Sequence, residues 1–141
     1  MIKIPKNDSK YYWTQHVIRK MAYYGISSDR VRKIVRNPKR TEEGVAENTI
    51  AVMQPGTNKK KPSEIWVMYQ QKNYNRQSII NGKKGSKSLA NNNFYGRKII
   101  ISAWRYPGVS PVGKQIPIPV DILEELRNDG LILQDDNFNR H

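Results

Sequence analysis

The stretch WTQHVIRKMAYYGISSDRVRKIVRNP, residues 13–38, constrains the chain most. Trp13, Val17, Met21 and Tyr24 recur at spacings of four, four and three, which places them on one face of a helix. Gly25 comes next and suits the left-handed conformation that closes a helix. Ser27, Ser28 and Asp29 then offer side-chain oxygens to cap a second helix, whose apolar stripe is Val31, Ile34 and Val35. Pro38 stops it, because a proline disfavours a helical residue before it. The pattern predicts helices over residues 12–24 and 28–37, and the chain beyond Pro38 reads as a sheet for them to cover.

Residues 1–10 are polar and read as an extended lead-in. Residues 39–45 read as a short edge strand. In 47–54, Ile50 and Val52 fall on one face and Ala51 and Met53 on the other, as in a strand. Pro55, Gly56, Thr57 and Asn58 break it, and Lys59, Lys60 and Lys61 form a basic loop tip. In 64–71, Ile65, Val67 and Tyr69 alternate with Trp66, Met68 and Gln70. Both faces are largely apolar, so this strand is expected at the centre of the sheet with cover on both sides. Residues 97–106 give a third strong strand, ended by Pro107 and Gly108. Four prolines make 107–119 extended and stiff. Asp121 is a candidate cap for a last helix over 122–129, with Ile122, Leu123 and Leu126 facing inward and Gly130 as the stop. The tail at 137–141 is expected to fray. The expectation is one α+β domain over residues 1–141. It has two N-terminal helices on a small antiparallel sheet of three or four strands, a C-terminal helix, and a long basic loop at about 72–96.

The charge bears on function. The chain carries 25 Lys and Arg against 12 Asp and Glu in 141 residues, a formal +13 and a pI near 10.0. Residues 54–98 hold ten basic side chains and one acidic, whereas 99–141 are slightly acidic. Such an excess attracts polyanions without sequence selectivity. RNA or another nucleic acid fits, as does an acidic protein; a membrane surface fits less well, with no broad apolar helix face to enter it. The candidate nucleic-acid contacts are Arg32, Lys33, Arg36, Lys59, Lys60, Lys61, Lys83, Lys84, Lys87, Arg97 and Lys98. The rival reading of the loop is a solubilising segment, since its only aromatics for base stacking are Tyr74, Phe94 and Tyr95.

The chain has no cysteine, which excludes disulfides and thiolate zinc sites. One internal histidine and scattered carboxylates make no metal-ligand set, and GKKGSK has neither the spacing nor the context of a phosphate-cradling loop. No cofactor is expected. The first residues lack an apolar signal core and no long apolar run exists, so a soluble cytoplasmic protein is the default.

His16, Met21, Gly25, Ile26, Ser27, Asn37 and Pro38 resemble the landmarks of an uncharacterised bacterial domain family, H-A-x-x-R-M-x-x-R-G-I-S followed by a helix ending in N-P. The chain departs from that pattern at Val17, Lys20 and Tyr24. The strand IIISAWR resembles the R-I-I-S-A-R strand of the BrnT ribonuclease toxins, which share the RelE-like scaffold. The resemblance covers about two-thirds of the chain and omits the Asn-rich loop and the last helix. It implies two helices packed on an antiparallel sheet, RNA cleavage, and neutralisation by a partner antitoxin.

RNA cleavage needs no metal. The 2′-hydroxyl attacks the adjacent phosphate while a base, a cation and an acid assist. His16 is the candidate base or acid. Arg105 or Arg19 would stabilise charge on the phosphate, Lys20 would add to it, and Tyr106 or Tyr23 would supply a hydroxyl. Each has a structural rival: His16 as a bridge from helix to sheet, Arg105 as a solvated strand-end residue, Trp66 and Trp104 as core rather than stacking platforms.

Overall fold

The computed structural model describes residues 3–45, 48–71 and 97–131. The predicted loop at 72–96, with Lys83, Lys84 and Lys87, and the tail at 137–141 lie outside the described residues.

Five strands form one mixed sheet. β1 is Tyr11–Trp13, β2 Arg40–Glu43, β3 Thr49–Pro55, β4 Ser63–Gln71 and β5 Lys98–Pro107. Their spatial order is β1-β5-β4-β3-β2. β2 through β5 pair antiparallel, and β1 pairs parallel to β5. α1 is Gln15–Tyr24, α2 Ser28–Arg36 and α3 Val120–Asn128. The α+β class is as expected; the strand count and the all-antiparallel arrangement are not.

The difference lies at Trp13. The helical spacing places it on α1, but it ends β1, and Tyr11, Tyr12 and Trp13 alternate buried, exposed, buried as a strand does. Local polar groups fix this segment. Asp8 Oδ1 accepts from the amides of Lys10 and Tyr11, and Asn7 Oδ1 accepts from that of Trp13. The Tyr11 amide is the first cause holding the Asp8 carboxyl below its usual range. Thr14 is then the N-cap of α1, accepting from the Val17 amide. Trp13 still packs with Val17 and Met21, so the pattern picks the core residue and misplaces only its backbone.

Gly25 closes α1 at φ 70°, a conformation that costs glycine nothing. Ser27 caps α2 by accepting from Arg30, and Asn37 ends it one residue before Pro38. In α3 the N-cap is Pro119 and makes no side-chain cap bond; Asp121 sits in the first turn, where its charge meets the positive end of the helix dipole. Ile122 and Leu126 are buried and Leu123 is half-buried.

β4 lies centrally, and Glu64 through Tyr69 are all buried. Val52, Ile65, Val67, Tyr69, Ile100 and Ala103 face α1 and α2. Ala51, Met53, Trp66, Met68, Ile101 and Trp104 face the other way, covered by Ile116, Ile122 and Leu126. The short edge strand β2 is highly charged, a composition that discourages further strand pairing. Register slips where Tyr69 faces Ile100 and Met68 faces Ser102, leaving Ile101 as a bulge. The Thr14 hydroxyl lies 3.1 and 3.0 Å from the carbonyls of Ile100 and Ile101, securing the start of α1 against this bulge. At the other end of α1, Arg105 donates to the Tyr24 carbonyl. α1 thus follows β5 beyond the point where β1 stops, and Tyr24 touches both core clusters. Among the described residues no helix is long and apolar enough to cross a membrane.

Candidate functional site

The bulge sets the surroundings of His16. Its side chain is buried, with 1% of the residue exposed. Nε2 lies 2.8 Å from the Ser102 hydroxyl, while Nδ1 faces Glu125 at 3.6 Å and Asp129 at 3.8 Å. Ser102 is itself fully buried in β5. A serine, an imidazole and a carboxylate in sequence would suit nucleophilic catalysis, but here the hydroxyl has no face open to a substrate. The cluster joins α1, β5 and the end of α3. Two of its neighbours are tied the same way: Lys20 pairs with Glu125 at 2.9 Å and Arg19 with Asp129 at 3.0 Å. Three of the six residues singled out for catalysis, His16, Arg19 and Lys20, therefore lie together, and all three bind α1 to the end of α3.

Burial pushes the His16 imidazole below its ordinary value, against an upward pull from Glu125 and a weaker one from Asp129; Lys20 and Arg19 also push down. The unfolded chain, with an ordinary histidine near 6.5, then binds more protons than the folded one as pH falls below about 6.5. The contribution is complete above that pH and is lost as pH falls through the folded value. One proton limits the slope to about 1.4 kcal/mol per pH unit. In urea unfolding at pH 7.5 and 5.5, the wild type should lose more stability on acidification than His16→Gln. Equal losses would show that His16 does not titrate this way.

Arg105 and Tyr106 lie elsewhere. Tyr106 is half-buried on the core that α3 covers, opposite Glu64. Arg105 lines a recess of about 300 Å³ at the start of α2, together with Ser27, Arg30 and Thr57 over a floor of Ile26 and Ile65. His16 does not line it. Tyr23 is exposed, edge-on to Tyr24 and below the Lys20 ammonium.

The basic residues separate by what they touch. Arg32 pairs with Asp29 and lies over the Tyr11 and Trp13 rings, so it serves the fold. Arg97 lies over Tyr12, and Lys98 begins β5. Seven residues of strand, about 23 Å at ~3.3 Å each, separate Lys98 from Arg105. Lys33, Arg36, Lys59, Lys60 and Lys61 are exposed and pair with no carboxylate among the described residues. Arg30 Nη2 donates to the Pro55 carbonyl at 2.8 Å, bringing the amino end of α2 against the loop that carries the three lysines.

Two features escape sequence reasoning. Arg30 gains significance only from the tertiary structure, which sets it on the same recess as Arg105. Glu64 is 2% exposed and accepts from Trp66 Nε1, the Ser110 amide and the Ser110 hydroxyl, with Arg40 at 3.8 Å. A signal for it exists: it is the single acid among ten basic residues in 54–98 and opens an apolar strand. Trp66 and Trp104 are fully buried, as core residues are. Comparison of the chain with protein-family models, with curated proteins and with solved structures finds no match in any of the three.

Proposed function

We propose that this protein binds nucleic acid, RNA in the first instance, by holding the phosphodiester backbone on a basic face. The observation that carries the reading is the set of exposed cations, four lysines and Arg36, without carboxylate partners among the described residues. Lys59, Lys60 and Lys61 sit on the loop beside the amino end of α2, and Lys33 and Arg36 continue along that helix. Cations already paired within the fold have little left for a ligand; these have all of it. The toxin-like endoribonuclease reading asks more. It needs an acid or base with a path to a ribose hydroxyl, and the sealed imidazole of His16 has none. Binding without cleavage is what the geometry supports best.

Fluorescence anisotropy with a labelled single-stranded RNA between 50 and 300 mM salt tests this. Affinity should fall steeply with salt, and replacing Lys59, Lys60 and Lys61 by glutamine should reduce the log–log slope by about 2, at ~0.7 per phosphate contact. The RNA should be recovered intact. A slope unchanged by the triple substitution, or no RNA binding at all, would overturn the reading and leave an acidic protein partner as the better account of the charge. Cleaved RNA would restore the toxin-like reading.

A further inference from the structure

We infer that the recess between α2 and β5 is a binding site for one phosphate group, gripped by Arg30 and Arg105. This deepens the nucleic-acid reading and stands on a different observation. The cations of the fold divide sharply. Arg19, Lys20, Arg32 and Arg40 each have a carboxylate within 4 Å. Arg30 and Arg105 have none among the described residues. Each instead donates one Nη2 hydrogen bond to a backbone carbonyl, Pro55 for Arg30 and Tyr24 for Arg105, at 2.8 and 3.2 Å. A carbonyl fixes a guanidinium in place without neutralising it. Both arginines border the same recess, and among the described residues no acidic side chain lines it. Asp29, the nearest acid in sequence, is turned to Arg32 at 3.0 Å.

Two guanidinium groups held beside one recess suit a phosphate, which accepts paired hydrogen bonds from each fork. The hydroxyls of Ser27 and Thr57 also line the recess and add neutral donors. The Ser27 oxygen already accepts from the Arg30 amide, which leaves its own proton to give. The volume of about 300 Å³ is at the low end for small-molecule sites and exceeds what a bare phosphate fills. The apolar floor of Ile26 and Ile65 offers the remaining space to the attached sugar rather than to a second charge. The ligand is therefore a phosphate ester, either the terminal monoester of a nucleic-acid strand or an internal diester.

The test uses the full chain and three probes: inorganic phosphate, a short oligoribonucleotide with a 5′-phosphate, and the same oligomer with a 5′-hydroxyl. Inorganic phosphate should shift the backbone amide resonances around Ser27, Arg30 and Arg105. A terminal site predicts roughly tenfold tighter binding of the phosphorylated oligomer, a difference erased in Arg30→Gln/Arg105→Gln. An internal site predicts equal binding of both oligomers and an equal loss of about tenfold or more in that double variant. Arg30→Lys/Arg105→Lys keeps the charge but not the fork and should recover only part of either loss. The inference is overturned if the folded double variant, checked by its unchanged thermal midpoint, binds every probe as the wild type does. Lysine-dependent RNA binding that ignores both arginines would remove the recess and leave the basic face standing. A phosphate-dependent shift without RNA binding would do the reverse.

Discussion

Replacing Trp104 by alanine is expected to remove about 3–5 kcal/mol of folding stability, the range for truncating a large buried aromatic. Trp104 has no exposed surface and lies directly opposite Trp66 in the β4–β5 pair. Their ring centroids are 6.2 Å apart with planes 8° from parallel, a stacking that adds roughly 0.5–1.5 kcal/mol to area burial. Against a total of about 5–15 kcal/mol for a typical domain, the loss is large. Trp104→Phe separates packing from polarity. It keeps a ring against Trp66 and drops an Nε1–H that is buried without an acceptor among the described residues. It should cost less than half as much as alanine. Trp66→Phe should cost more than Trp104→Phe, because Trp66 Nε1 donates to Glu64 at 2.9 Å. Urea unfolding of the three variants checks the order. Phenylalanine and alanine costing the same at position 104 would mean that the ring stack is not what stabilises this face.

The two faces of the sheet are legible because a strand's period of two is written in the sequence itself. Val67 and Tyr69 alternate with Trp66 and Met68, and each set is bound to meet a different layer. Trp13 misleads because its fourfold spacing to Val17 and Met21 satisfies a helix equally well. What decides between helix and strand is the short-range bonding of Asn7 and Asp8 to the backbone of residues 10–13. A parallel β1–β5 pair joins residues nearly ninety apart, and nothing local announces it. The site divides in the same way. His16 stands out as the one internal histidine, but the carboxylates that face it are over a hundred residues away, Glu125 on α3 and Asp129 at its C-cap. Those distant acids also explain why Arg19 and Lys20 read as free cations in the sequence and are paired in the fold. Arg105 is visible as a strand-end arginine, and its companion Arg30 is not.

Glu64→Ala should cost about 3–5 kcal/mol, as when one member of a buried charged cluster is removed and the others stay. Its Oε1 accepts from Trp66 Nε1 and from the Ser110 hydroxyl at 2.7 Å, and its Oε2 from the Ser110 amide at 3.0 Å. Arg40 closes the cluster. It donates to the Ser110 carbonyl and hydroxyl, pairs with Glu42 and lies over the Trp66 ring. Deleting the carboxylate leaves three donors unanswered in the core, at about 1–3 kcal/mol for each that finds no substitute. The network also fastens the segment after β5 to the sheet, and that segment carries Ile116 onto the core. The loss should therefore be local before it is global. In limited trypsin digestion, Lys114 should become cleavable in Glu64→Ala under conditions where the wild type resists and the sheet of the variant remains folded. Glu64→Gln should fall between the two, since its amide keeps one acceptor but sets a donor against the donors of Ser110. The double variant Glu64→Ala/Arg40→Ala should be less destabilised than the sum of its parts, because removing Arg40 also removes a cation left facing the vacated site. Strict additivity, with trypsin resistance at Lys114 unchanged, would show that the carboxylate does not hold this segment to the sheet.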